Sequence, residues 1–110
     1  HASAAGKLLL AADSQWRELL PPTLPALTQS TVVDMRELAA QVEETRQRGY
    51  AVSVDEMLDG EASIAVPILD VEGVVRGAVT VKGFSARLDA ITSLVPRCRE
   101  LAAELGPLLY

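Results

Sequence analysis

Aromatic side chains make up only 4% of the 110 residues, and Cys98 is the single cysteine. With so few rings, the core has to be built from Leu, Val, Ile and Ala. One cysteine excludes an internal disulfide, which fits a reducing compartment such as the cytoplasm. Basic residues are also scarce: 10 Lys and Arg against 15 Asp and Glu leave a net charge of −5. That balance argues against binding of phosphate backbones by this chain, which needs a basic footprint. No apolar run is long enough to span a bilayer, and the opening residues carry no basic stretch followed by an apolar segment. There is no internal repeat and no low-complexity tract. What is present, 49% hydrophobic and 23% charged residues, suits one globular domain at most and excludes disorder.

The stretch Ser63 to Gly83, SIAVPILDVEGVVRGAVTVKG, organises the rest. Two runs rich in Val and Ile, Ile64–Leu69 and Val74–Val81, flank the polar break Asp70-Val71-Glu72-Gly73. Both read as strands, and the glycine suits the positive φ that closes a short hairpin loop. Alternation puts Val75, Gly77, Val79 and Val81 on one face, which reads as continuous core. Arg76, Ala78, Thr80 and Lys82 share the other face, which either lines a cavity or meets water.

Helical spacing covers most of the remainder. His1 to Ala12 reads as a helix with Ala5, Leu8, Leu9 and Ala12 on one side and Lys7 toward solvent. Asp13 or Ser14 can cap a short helix from Gln15 to Leu20, stopped by Pro21, Pro22 and Pro25. Leu24 and Leu27 pack the polar loop that follows. Asp34 to Arg48 carries Met35, Leu38, Val42 and Thr45 at three- and four-residue steps, and Gly49 is placed as its C-cap. Tyr50, Val52 and Val54 alternate with Ala51 and Ser53 as a strand, and Asp55 to Gly60 links it to the hairpin. After Gly83, Ser85 is placed as an N-cap. Leu88, Ile91, Val95, Cys98, Ala102 and Leu105 form one long apolar stripe, kinked or divided at Pro96 and ended by Gly106-Pro107. The order of elements implies an α+β fold, an antiparallel sheet covered by helices. Three strands make a narrow sheet for so much helix. The expectation is therefore a partial domain whose further strands come from a preceding segment or from a partner chain.

Read in order, the segments HASAAGKLLLA, LTQSTVVD, LAAQVEETRQRGYAVSVDE, GEASIAVPILDVEGVVRGAVTVKG and SARLD resemble the C-terminal effector-binding domain of the IclR family of bacterial transcription regulators. The match spans almost the whole chain, and the combination of HASAAGK, RxRGYA and the hairpin carries it. The resemblance implies a GAF-like, profilin-like fold in which an antiparallel sheet is flanked by helices. It also implies that residues 1–110 are part of that domain, without its opening strands and without the winged helix-turn-helix that would touch DNA.

The family binds small organic effectors, often carboxylates, between the sheet and the turn ahead of the first helix here. Carried over by position, the resemblance implies a site made of Ala4, Ala5, Ser53, Ser63, Thr80 and Lys82. Hydroxyls and one ammonium can hold a carboxylate through charge-assisted hydrogen bonds. The family's Ser-x-Ser-Gly is replaced here by Thr80-Val81-Lys82-Gly83, and Glu61 stands where an apolar residue is common. Lys82 therefore has three readings: a ligand group, a partner of Glu61 that fills the pocket, or a solvated strand end. Ser53, Ser63 and Thr80 can equally be strand residues bonded to nearby backbone.

Other candidates carry less. His1 has no companions at ligand spacing, so neither a metal nor another cofactor is expected. Cys98 reads as a small buried hydrophobe, and no nucleophile–base pair supports catalysis. Glu43-Glu44 and Asp55-Glu56 read as solvated charges, and Trp16 as core or as an anchor for a subunit contact. The expected function is ligand sensing, with self-association to a dimer or tetramer. The competing reading is an assembly module with a vestigial or self-filled pocket.

Overall fold

The computed structural model describes residues 1–110. Helix α1 (Ala4–Ala11) and a single 3-10 turn (Trp16–Leu19) precede helix α2 (Met35–Arg48). Strands β1 (Ala51–Val54), β2 (Glu61–Leu69) and β3 (Val75–Phe84) follow, then helices α3 (Leu88–Thr92) and α4 (Val95–Leu109). The strands form one antiparallel sheet in the order β1-β2-β3.

Local chemistry explains most boundaries. Ser3 Oγ accepts from the Gly6 amide at 2.9 Å and opens α1. Asp34 does the same for α2 through the Arg36 amide at 2.8 Å, and Gly49 ends that helix at φ 81°. In the hairpin loop, Asp70 Oδ1 accepts from the amides of Glu72 at 2.9 Å and Val74 at 3.0 Å. Its Oδ2 accepts from Arg76 Nε at 2.9 Å. These bonds hold the Asp70 carboxyl below its ordinary pKa, the Val74 amide contributing most and Arg76 next. The side chain is 8% exposed because its own loop wraps it, not because the core covers it.

Two expectations about the last helices are corrected. Ser85 does not cap a long helix; Ser85–Arg87 form one 3-10 turn, and the Ser85 amide donates to Gly60 O at 2.8 Å. Gly106-Pro107 does not end the last helix, which runs on to Leu109. Gly106 is instead where α4 touches β2: a Cβ there would lie 2.5 Å from Leu69 O. The glycine is required by close approach rather than by a turn. The expected division does occur, and Pro96 falls in the first turn of α4, where a missing N–H costs no helical bond.

The sheet is covered on both sides. Ala62, Ile64, Val66 and Ile68 of β2 pack with Ile91, Val95, Cys98 and Ala102, while Val79 and Val81 are half-buried beside them. On the opposite face Ala51 and Ala65 meet Ala4 and Leu8 of α1. A separate cluster of Leu10, Trp16, Leu24, Val32, Leu38 and Val42 joins α1, α2 and the proline-rich loop. No helix is long and apolar enough to cross a membrane.

Two predictions follow from this packing. Gly106→Ala should lower stability by about 1–3 kcal/mol in urea denaturation, because the added methyl meets backbone that cannot yield. Asp70→Asn should be less stable than the parent at neutral pH. Since folding depresses this carboxyl, its contribution is present above 3.8 and is lost as pH falls through the folded value. Urea midpoints of the two proteins should therefore converge in acid.

Candidate functional site

Antiparallel register builds a polar row across the sheet. Ser53 of β1 lies opposite Ser63 of β2, and Ser63 lies opposite Lys82 of β3. Thr80 is opposite Ala65, one step along the same face. Helix α1 covers this face and brings its first turn, Ala4 and Ala5, over the small side chains of Ala51, Ala65 and Ala78. Ala4, Ser53 and Ser63 are 1%, 3% and 5% exposed. Ser53 Oγ donates to Ala2 O at 2.7 Å and ties β1 to the segment that enters α1.

Donors remain open at this junction. The first turn of a helix leaves amides without intrahelical partners. Here Gly6 N is met by Ser3 Oγ and Lys7 N by Ser3 O, which leaves the amides of Ala4 and Ala5. Ser63 makes no side-chain hydrogen bond within the chain, and its oxygen is not sealed from solvent. The structure thus gathers Ala4, Ala5, Ser53 and Ser63 into one packed junction.

Thr80 and Lys82 stand at its exposed margin on β3. Lys82 Nζ is 3.9 Å from Glu61 Oε1, with the lysine side chain 59% exposed, so the pair is loose and lies at the surface. A hollow of about 450 Å³ beside it is lined by Leu58, Glu61, Lys82 and Phe84 among others, and it reaches neither Ser53 nor Ser63.

The largest departure from expectation concerns Lys7 and Glu56. Both were expected in solvent, and both are buried, at 1% and 4% exposure. Lys7 Nζ donates to Glu56 Oε2 and to Gln41 Oε1 of α2. Glu56 Oε1 accepts from the Val32 amide at 3.0 Å, and Thr31 Oγ1 donates to Glu56 O at 2.7 Å. Asp55 makes this inward turn by adopting φ 58°, a conformation that aspartate tolerates, and its Oδ1 accepts from Gly60 N at 2.9 Å. Burial pushes the Lys7 ammonium below its ordinary pKa, and the bond and charge of Glu56 oppose that shift.

A signal for this pair was present in the sequence. The segment from Ala4 to Ala11 has no polar side chain other than Lys7, so it offers no polar face to turn toward water, and in the structure only Leu9 of it is exposed. Burial of its one charge is then a reading to weigh, and a buried charge requires a partner.

Elsewhere the chemistry is already used. A groove of about 420 Å³ between the hairpin and α4 contains Asp70 and Arg99, but Asp70 serves its own loop and Arg99 Nη2 donates to Arg48 O at 2.9 Å. Cys98 is buried, as expected. His1 Nε2 bonds to Pro25 O at 2.8 Å, and no group of three His, Cys, Asp or Glu side chains is placed to hold a metal ion.

Residues 1–106 match the family model described as the C-terminal domain of the bacterial transcriptional regulator IclR. The chain belongs to the IclR family. It is 35% identical over 99% of its length to the HTH-type transcriptional repressor AllR of Escherichia coli, and covers 42% of that protein. It is 38% identical over 97% of its length to the glycerol operon regulatory protein of Streptomyces coelicolor, and covers 38% of it. This IclR chain therefore spans about two-fifths of the length of these relatives, which are transcriptional regulators rather than enzymes.

Among solved structures, it matches a double mutant of the PobR transcription factor inducer-binding domain from Acinetobacter, in complex with 3-hydroxybenzoic acid. The TM-score is 0.86 at 29% identity, covering 99% of this chain and 66% of that one. A second match, a regulator of the same family from Silicibacter, has a TM-score of 0.87 at 28% identity and covers 97% and 44% of the two chains. These neighbours bear out the α+β, helix-flanked antiparallel fold.

The buried pair sets a stability test. Lys7→Met or Glu56→Gln alone leaves one charge or donor set unmatched, and each should cost about 3–5 kcal/mol. The double variant Lys7→Met/Glu56→Gln should cost clearly less than the sum of the singles in urea denaturation. Additive losses would mean that the two groups act independently.

Proposed function

We propose that this chain is the ligand-sensing part of an IclR-type transcription regulator and binds a small organic acid at the junction of α1 and the sheet. The observation that carries the reading is the pairing of two open donor sets at one place. The unpartnered amides of Ala4 and Ala5 lie at the positive end of α1. The unmet hydroxyl of Ser63 lies on the strand beneath, with Lys82 opposite it in register. A carboxylate satisfies amides, a hydroxyl and an ammonium together, whereas a neutral apolar ligand satisfies none of them. Likeness to the inducer-binding domain of PobR in complex with an aromatic acid supports the same class.

The proposed mechanism is a population shift. The acid favours the arrangement in which α1, β2 and β3 close on it, and that preference alters how attached winged helix-turn-helix domains of the full-length protein are spaced on DNA. The setting is a bacterial cytoplasm, and the protein works as a dimer or tetramer. One observation favours a second reading: Glu61 already stands 3.9 Å from Lys82 and can neutralise it. On that reading the pocket is self-filled and the domain serves assembly.

A thermal-shift screen of aliphatic, aromatic and sugar acids separates the two. An acid at a hundred times its Kd should add about 2.7 kcal/mol of stability. Ser63→Ala, Thr80→Ala and Lys82→Ala should each weaken that acid by about tenfold, the value of one charge-assisted bond, while light scattering shows unchanged assembly. No shift across the panel would favour the assembly module, and unchanged affinity in all three variants would remove the site assignment.

A further inference from the structure

Contacts between α1 and the sheet are made by small apolar side chains. Ala4, Leu8 and the half-buried Ala5 rest on Ala51, Ala65 and Ala78. Hydrophobic contact is not directional, and a patch of methyl groups resists sliding of a helix upon it less than interlocked large side chains do. Bonds with direction therefore weigh heavily in placing the first turn of α1. Two of them tie that turn to β1 and to the link that follows it, Ser53 Oγ to Ala2 O and Lys7 Nζ to Glu56 Oε2, while His1 to Pro25 O and Arg46 Nε to Ala11 O hold the two ends of the segment elsewhere.

The second bond acts at a crossing of four segments. Lys7 stands one turn after Ala4 on α1 and also donates to Gln41 on α2. Glu56 comes from the link between β1 and β2, and its other oxygen holds the Val32 amide. Its main-chain oxygen receives Thr31 Oγ1, which in turn accepts from the amides of Leu27 at 3.0 Å and Thr28 at 2.9 Å. Because both ions are dry, a small displacement of α1 removes Coulomb attraction without restoring hydration. The pair thus has one favourable geometry.

We propose that Lys7 and Glu56 are positioning residues for the acid site: their buried pair fixes the first turn of α1 over Ser53 and Ser63, though neither side chain touches the acid. This inference rests on the reading of that junction as an acid site.

Amide hydrogen exchange and titration of the protein test it. Glu56→Gln and Lys7→Met are compared with Ile91→Ala, a core change on the opposite sheet face that loosens the fold without touching α1. Exchange of the hydrogen-bonded amides from Gly6 to Leu10, measured relative to those of Ile64 and Val66, should rise about tenfold or more in the pair variants and stay level in Ile91→Ala. The affinity for 3-hydroxybenzoate, or for the acid that stabilises the parent most in the screen, should fall about tenfold in the pair variants and hold in the control. Glu56→Gln keeps the size of the side chain and one of its two acceptor oxygens while removing the charge, so it decides the matter if Lys7→Met does not fold. Exchange at α1 that rises no more than in the control overturns the proposal, as does a parent-like affinity in both pair variants. If the parent binds no acid at all, the acid-site reading fails, and the exchange comparison still decides whether the pair positions α1.

Discussion

Strand β2 is buried on both faces, and most of the architecture answers that constraint. Its residues alternate between two environments that need different covers. Ala62, Ile64, Val66 and Ile68 face a deep layer of branched side chains from α3 and α4. Ala65, between them, faces α1 through alanines, which let the helix lie close to the sheet. Helices are attached to each side because neither face of the strand can be left to water. The same alternation that buries the aliphatic residues delivers Ser63, with Ser53 and Lys82 beside it, to the α1 side.

Close approach at the thin layer brings polar groups into the interior. A helix seated on alanines carries its backbone, its first-turn amides and its single lysine down toward the sheet. Glu56 then compensates a charge that no apolar neighbour could, while Gln41 and the Val32 amide complete the hydrogen bonds. The candidate acid site and the buried ion pair are thus two results of one packing choice. One end of α1 leaves donors open and the middle of it closes them. At the exposed margin Lys82 and Glu61 meet loosely, so the edge of the site is governed by solvent screening rather than by the interior.

Much of this is legible in the chain itself. Alternating Val and Ile on either side of Asp70-Val71-Glu72-Gly73 marked the hairpin, and Asp34 and Gly49 marked both ends of α2, because strand period and cap chemistry are local. Ser53 and Ser63 were assigned to one place by resemblance, and the register confirms that they are neighbours. Lys7 and Glu56 were misread as solvated. The default that charges face water fails where a helix has no polar side, and the apolar run around Lys7 was the available warning. Ser85 and Gly106 were misread for a related reason. Capping residues also serve other uses, and the amide of Ser85 and the missing Cβ of Gly106 were each claimed by a distant carbonyl.

By itself the sequence determined the period and ends of the elements, the aliphatic core, the acidic surface balance and the membership of a regulator family. All of these depend on residues close in the chain or on composition. Only the tertiary structure decided which charges were buried, since that requires knowing what covers α1 on its far side. It also decided that α4 continues through Gly106, because packing against Leu69 outweighs a local stop signal. Ala4 and Ser63 stand some sixty positions apart; resemblance put them at one site, and the fold sets the first turn of α1 against the sheet face that carries Ser63.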